Sequence, residues 1–165
     1  MLFIIEIGYN TKMIKSIYKN LVQLGKEVQI PNKPDKALLE RVQNPHFAED
    51  YLIRFSCPEF TSVCPVTGQP DFAHIIIDYV PNMYLMESKS IKLYFQSFRN
   101  FGTFHETCTM DIGTKLFEFL EPKWLRISGY WYPRGGIAID IFFEKGELPK
   151  NVYIPDTNIS AYKVR

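Results

Sequence analysis

The stretch "DFAHIIIDYVPNMYLMESKSIKLYFQSFRN", residues 71–100, changes its hydrophobic period part-way. Up to Pro81 it is rich in β-branched residues and reads as a strand that the proline ends. From Glu87 onward, Ile91, Tyr94, Phe95 and Phe98 fall at i, i+3, i+4 and i+7, so one face of a helix is apolar. Lys89, Lys92 and Arg99 lie outside that stripe, and Asn100 and Gly102 break the helix. This switch sets the fold class, because the flanking segments repeat it in reverse order.

Upstream, "YLIRFS" (51–56) alternates Tyr51, Ile53 and Phe55 with Arg54 and Ser56, a strand pattern. Between the two strands lies "EFTSVCPVTGQPDF" (59–72), read as a long loop in a hairpin-like pair. Downstream, "TFHETCTMDIGTKLFEFLE" (103–121) reads as a second helix closed by Pro122, with Thr103 and Glu106 at capping-box spacing. "WLRISGYWY" and "GIAIDIFFE", joined through "PRGG", read as a β-hairpin. The order strand, strand, helix, helix, strand, strand (ββααββ) predicts an α+β class, an antiparallel sheet with both helices on one face. Its uncovered face and edges predict a homo-oligomer. Nearer the start, "TKMIKSIYKNLVQL" (11–24) has helical spacing, "PNKPDK" (31–36) reads as a linker and "ALLERV" as a short helical turn. Residues 1–33 are expected to be an N-terminal extension with a short helix, and residues 34–165 a single domain.

The chain's 165 residues fit one such domain. A formal net charge of +1 gives no global drive toward nucleic acid or an anionic membrane. Three cysteines, Cys57, Cys64 and Cys108, are too few for a disulfide framework, which points to the reducing cytoplasm. The apolar start "MLFIIEIGYN" carries Glu6 and no basic segment before it, so it is not read as a signal peptide. No run reaches membrane-spanning length.

Candidate chemistry gathers around Cys64. An unperturbed thiol is only about 3% thiolate at neutral pH, so a nucleophilic role needs a base, a cation or a helix N-terminus nearby. Asp71 offers a proton-transfer group, and His105 and Glu106 open the second helix, where backbone N–H groups point outward. Against this, a loop cysteine is more often a small buried hydrophobe. Cys57, Cys64, His105 and Cys108 offer zinc-ligand types, but the first pair lacks knuckle spacing. Glu87 and Glu106 each suit a helix N-terminus as plain structural acids. Lys89 and Lys92 suit a solvated helix face, and Arg126 and Arg134 a hairpin surface, yet cations near helix starts also suit phosphates. No Gly-rich nucleotide fingerprint occurs.

Four segments occur in register: "FTSVCPVTGQPDF" (60–72), "ESKSIKLYFQSFRN" (87–100), "FHE" (104–106) and "WYPRGGI" (131–137). Together they resemble the NADPH-dependent 7-cyano-7-deazaguanine reductases, nitrile reductases of queuosine biosynthesis, in their short single-domain form. The similarity runs from about Leu24 to about Glu144, and the "ESKS-x-K-x-Y" segment is its most specific part.

The resemblance implies a tunnelling fold, in which subunit sheets join into an oligomeric barrel with sites between subunits. It implies Cys64 as the nucleophile that forms a thioimide with the nitrile carbon, Asp71 as the acid for the nitrile nitrogen and a help in setting the thiol's ionisation, and His105 as an assistant at the reacting centre. His105 and Glu106, with Met86, Glu87 and Ser88, would bind the 7-cyano-7-deazaguanine substrate. Lys89 and Lys92, with Arg126 and Arg134, would hold the phosphates of NADPH, the co-substrate, and no metal is expected. A zinc-dependent GTP cyclohydrolase of the same fold and a non-catalytic purine-binding protein are the alternatives. Direct contact with nucleic acid or membrane is not expected.

Overall fold

The computed structural model describes residue 21 and residues 29–159. The helix expected over residues 11–24 lies, Leu21 aside, outside the described residues. In chain order the strands are β1 (Arg41–Gln43), β2 (Ile53–Val63), β3 (Pro70–Val80), β4 (Tyr84–Met86), β5 (Trp124–Arg134) and β6 (Ile137–Gly146). The helices are α1 (Ser88–Gln96) and α2 (His105–Leu120).

The long strands form one antiparallel sheet in the order β2-β3-β5-β6, and β1 pairs with β4 apart from it. Alternation decides which face is covered. Ala73, Ile75, Ile77 and Tyr79 of β3 and Leu125, Ile127 and Trp131 of β5 share one buried core with Ile91 and Tyr94 of α1 and Ile112, Leu116 and Leu120 of α2. The α+β class expected from the period switch is therefore present. Gly113 lets α2 lie close, since a Cβ there would stand 2.7 Å from both Ile127 Cγ2 and Phe143 Cδ1.

Four local expectations are corrected. "ALLERV" is not a helical turn: its end is strand β1, whose Arg41 stands opposite Met86 in β4. Both strands have three residues, too few to display a period. The "PNKPDK" linker contains a 3-10 turn, Pro34–Lys36. The loop expected over residues 59–72 is mostly strand, because β2 runs to Val63 and β3 starts at Pro70. The capping box also fails. Phe104 is the N-cap of α2, without a side-chain cap bond, and the Thr103 N–H donates instead to Val63 O at 3.1 Å.

Two irregularities in the sheet matter more than any regular pair. Between Cys57 and Phe60 the register of β2 against β3 shifts, and Pro58 sits in the shift. Between Trp131 and Arg134 the register of β5 against β6 shifts, and Pro133 sits there. Proline lacks the N–H a ladder needs, so bulges are where strands accept it. Each bulge spends three steps on one strand against two on its partner, which reverses the alternation beyond it. Before its bulge β2 turns odd residues to the core, and beyond it Phe60 and Ser62 are the buried ones. Cys64 and Arg134, which lie beyond these bulges, are thereby sent to the helix side of the sheet, where Asp71 also points.

Candidate active site

Residues 64–69 form the turn that carries the thiol. The Cys64 N–H donates to Gln69 O at 2.8 Å and the Gly68 N–H to Cys64 O at 2.9 Å. Gly68 has φ +69, a conformation that favours glycine. The turn brings the Thr67 hydroxyl and the backbone N–H groups of Thr67 and Val66 to the sulfur, and Arg134 adds a fourth donor. Thr67 is the largest influence, and together these donors pull the Cys64 thiol from 9.0 down to about 6. At pH 7 the thiolate is then favoured over the thiol. Asp71 is not among the groups that lower it; the donors around the sulfur are.

The turn is tied to α2 by the residues before the helix. The Val63 N–H donates to Phe101 O at 3.2 Å, and Gly102 packs so closely that a Cβ would stand 3.1 Å from Pro65 Cα. This docking places His105 and Glu106, the first residues of α2, beside Cys64. Asp71 is only 4% exposed. His105 Nε2 lies 3.2 Å from its Oδ1 and Arg134 Nε lies 2.6 Å from the same oxygen. Cys64, Asp71, His105, Glu106, Arg134 and Ile139 line one cavity of about 210 Å³.

A buried floor fixes the imidazole. Its ring stacks on Trp131 at 4.2 Å between centroids and 11° between planes. The Trp131 Nε1–H donates to Thr109 Oγ1 at 3.1 Å, and that hydroxyl donates to His105 O at 2.9 Å. The sequence reading missed Thr67, Thr109 and Trp131. Only Thr67 left a signal, as the residue before Gly68 in a turn beside the thiol.

The remaining expected residues stand elsewhere in the chain. Glu87 caps α1, accepting from the N–H groups of Lys89 at 2.9 Å and Ser90 at 2.7 Å. Met86 is buried in the core beside it. Ser88 and Lys92 line a second groove of about 330 Å³ with Cys57, Phe60, Phe95 and Arg99. Arg126 is on the opposite face of the sheet, its Nη2 2.6 Å from Asp78 Oδ2. The four zinc-ligand types do not converge: Cys64 is in the cavity, Cys57 in the groove, and Cys108 is fully buried in the core with its thiol pushed far up by burial. Among the described residues no group of three or more His, Cys, Asp or Glu could hold a metal ion.

The model of the QueF-like protein family matches residues 70–150. An NADPH-dependent 7-cyano-7-deazaguanine reductase of Hyphomonas neptunium is 60% identical over 149 residues, covering 90% of this chain and 96% of that protein. One of Parvibaculum lavamentivorans is 60% identical over 153 residues, covering 93% and 99%. The chain belongs to the NADPH-dependent 7-cyano-7-deazaguanine reductases. The apo structure of an archaeosine synthase QueF-Like protein shares the fold at a TM-score of 0.54 and 22% identity, over 59% of this chain and 96% of that one. The cavity brings together a cysteine whose thiol is lowered, a carboxylate next to a histidine, and an exposed second carboxylate.

Proposed function

We propose that this chain reduces 7-cyano-7-deazaguanine to the 7-aminomethyl compound with NADPH, as a soluble cytoplasmic enzyme of tRNA queuosine biosynthesis. The observation that carries the reading is the convergence of Cys64, whose thiol is lowered by the donors around it, with Asp71 and His105 in one cavity. A nitrile is a poor hydride acceptor. Addition of the Cys64 sulfur to its carbon forms an S–C bond and moves one C–N π pair to nitrogen, which takes a proton from Asp71. His105, bonded to Asp71, replaces that proton. The thioimide carbon then accepts hydride and its nitrogen a second proton, the C–S bond breaks to return the thiolate and leave an iminium, and a second hydride gives the amine. Covalent catalysis of this kind divides one hard step into easier ones. NADPH supplies both hydrides. Glu106 faces the N–H edge of the guanine-like ring, a charge-assisted pair that selects against adenine.

Residues 34–165 form the catalytic domain in this reading, and residues 1–33 extend it. Met86, Glu87 and Ser88 complete the base pocket from a second copy, because within one chain they do not line the Cys64 cavity. A tunnelling-fold barrel, with sheets joined edge to edge, would bring such a copy alongside; β2 and β6 are the open edges. Lys89 and Lys92 hold NADPH phosphates, with Lys92 already lining the groove beside α1. Arg126, committed to Asp78 on the far face, is set aside from that task.

The test is NADPH oxidation on adding 7-cyano-7-deazaguanine, with wild type and Cys64→Ala side by side. The expected result is two NADPH oxidised per nitrile by wild type and none by the variant, with base binding retained. Near-normal turnover in Cys64→Ala would sink the covalent mechanism.

A further inference from the structure

Arg134 has a position that phosphate binding does not explain. The bulge at Pro133 turns it into the Cys64 cavity, where it bonds two groups and lines the same space as the thiol. Its Nε lies 2.6 Å from Asp71 Oδ1, its Nη2 donates to Gln69 O at 3.4 Å, and its guanidinium helps to lower the Cys64 thiol. Gln69 O is the same carbonyl that accepts the Cys64 N–H. One planar cation thus bonds the acid and the turn that holds the nucleophile, and lines the cavity the nucleophile shares. A guanidinium can do this because its donors are fixed in a fork, whereas an ammonium is a single point charge. Its Nε is spent on a buried carboxylate and an Nη2 donor on the Cys64 turn, which holds the guanidinium to this site.

We infer that Arg134 is a positioning residue that clamps Asp71 and the turn carrying Cys64 at a fixed separation. With the clamp closed, the sulfur meets the nitrile carbon while Asp71 stands at the nitrogen. Without it, the thiol holds its proton to higher pH and the acid swings free. The catalytic meaning rests on the reductase reading; the clamp itself needs neither NADPH nor nitrile to be measured.

The experiment follows the rate of Cys64 alkylation by iodoacetamide, read by mass on the peptide that carries it, from roughly pH 4.5 to 9. Full-length wild type, Arg134→Ala and Arg134→Lys are compared, each checked for folding by circular dichroism. Wild type is expected to reach half its maximal rate near pH 6, where the thiol stands at about 6. Arg134→Ala is expected to move that midpoint up by about one unit, which slows alkylation at pH 6 about fivefold. Arg134→Lys keeps the charge and loses the fork. Its midpoint is expected to stay within about half a unit of wild type while kcat falls at least about tenfold, with KM for NADPH changed less than about threefold. Should Arg134→Ala not fold, the Lys variant decides alone, and a wild-type kcat there overturns the clamp. Superimposed alkylation profiles for wild type and Arg134→Ala, with KM for NADPH raised tenfold or more, also overturn it and return Arg134 to phosphate binding. Those results leave the reductase reading intact. Absence of NADPH oxidation by wild type sinks that reading instead, and the alkylation midpoints still judge the clamp.

Discussion

Asp71 and Asp78 are seven residues apart on one strand and each is paired with arginine, yet their surroundings are opposite. Asp78 is completely buried on the far face of the sheet. Arg54 Nε binds its Oδ1 at 2.6 Å, Arg54 Nη2 its Oδ2 at 3.0 Å, and Arg126 Nη2 the same Oδ2 at 2.6 Å. Arg54 then reaches on to Asp156 O at 2.8 Å and Pro155 O at 2.5 Å, so the cluster fastens the chain's later segment across the sheet. Both carboxylate oxygens of Asp78 are occupied by groups that never lose charge. Asp71 instead shares one oxygen between Arg134 and His105, and it faces a cavity with a thiolate. A buried carboxylate with every acceptor filled by arginine is a fastener. One with a histidine partner and an open side is placed for proton transfer.

Replacing each acid by asparagine should separate the two roles. Asp78→Asn leaves two arginines facing a neutral amide that is itself fully buried. Loss of one partner of a buried ion pair costs about 3–5 kcal/mol, so denaturant melts should show a drop of that size. Activity per folded molecule should stay near wild type. Asp71→Asn should do the reverse, lowering kcat by about 10²–10⁴ through loss of the proton donor, with base affinity retained. If the two variants lose activity and stability in parallel, the distinction between fastener and reactive group fails.

Gly129→Ala probes the floor under His105 at lower cost. A Cβ there would stand 2.7 Å from Thr109 Oγ1 and 3.1 Å from Trp131 Nε1, the pair that holds the imidazole from below. Overpacking of this kind typically costs about 1–3 kcal/mol. Because the displaced atoms support His105 and not Asp78, kcat should fall several-fold beyond what stability explains. An unchanged kcat in the folded variant would show that the floor only packs.

Much of this was legible in the residues because strands and helices declare themselves by period. Ile75, Ile77 and Tyr79 mark one face of a strand, and Ile91, Tyr94 and Phe98 one face of a helix. Cys64, Asp71, His105 and Glu106 were legible from the resembling segments. Residue types alone did not separate Arg134 from Arg126, since both read as hairpin cations. What divides them is the register shift between Trp131 and Arg134, a property of two strands together. Pro58 and Pro133 inside strand patterns are the one local trace of those shifts. Strands β1 and β4 left no period to read. That Met86, Glu87 and Ser88 do not line the Cys64 cavity within one chain was also hidden, because sequence order says nothing of which residues meet there.

Glu106 carries the smallest expected effect on stability. As N3 of a capping box it would contribute about 1 kcal/mol through the helix start. With Phe104 as N-cap, Glu106 falls one position earlier, exposed, and α2 starts without a side-chain cap bond. Glu106→Gln should therefore change the unfolding free energy by less than about 0.5 kcal/mol, the range of ordinary surface changes. Its effect on the substrate should be far larger. A hydrogen bond to a charged partner is worth about 1.5–3 kcal/mol, so base affinity measured by calorimetry should fall by about one to two orders of magnitude. The alkylation midpoint of Cys64 should stay near pH 6, because Glu106 is not among the groups that set it. A stability loss near 1 kcal/mol with unchanged base affinity would make Glu106 a capping residue after all, and would move the recognition of the ring edge to another carboxylate.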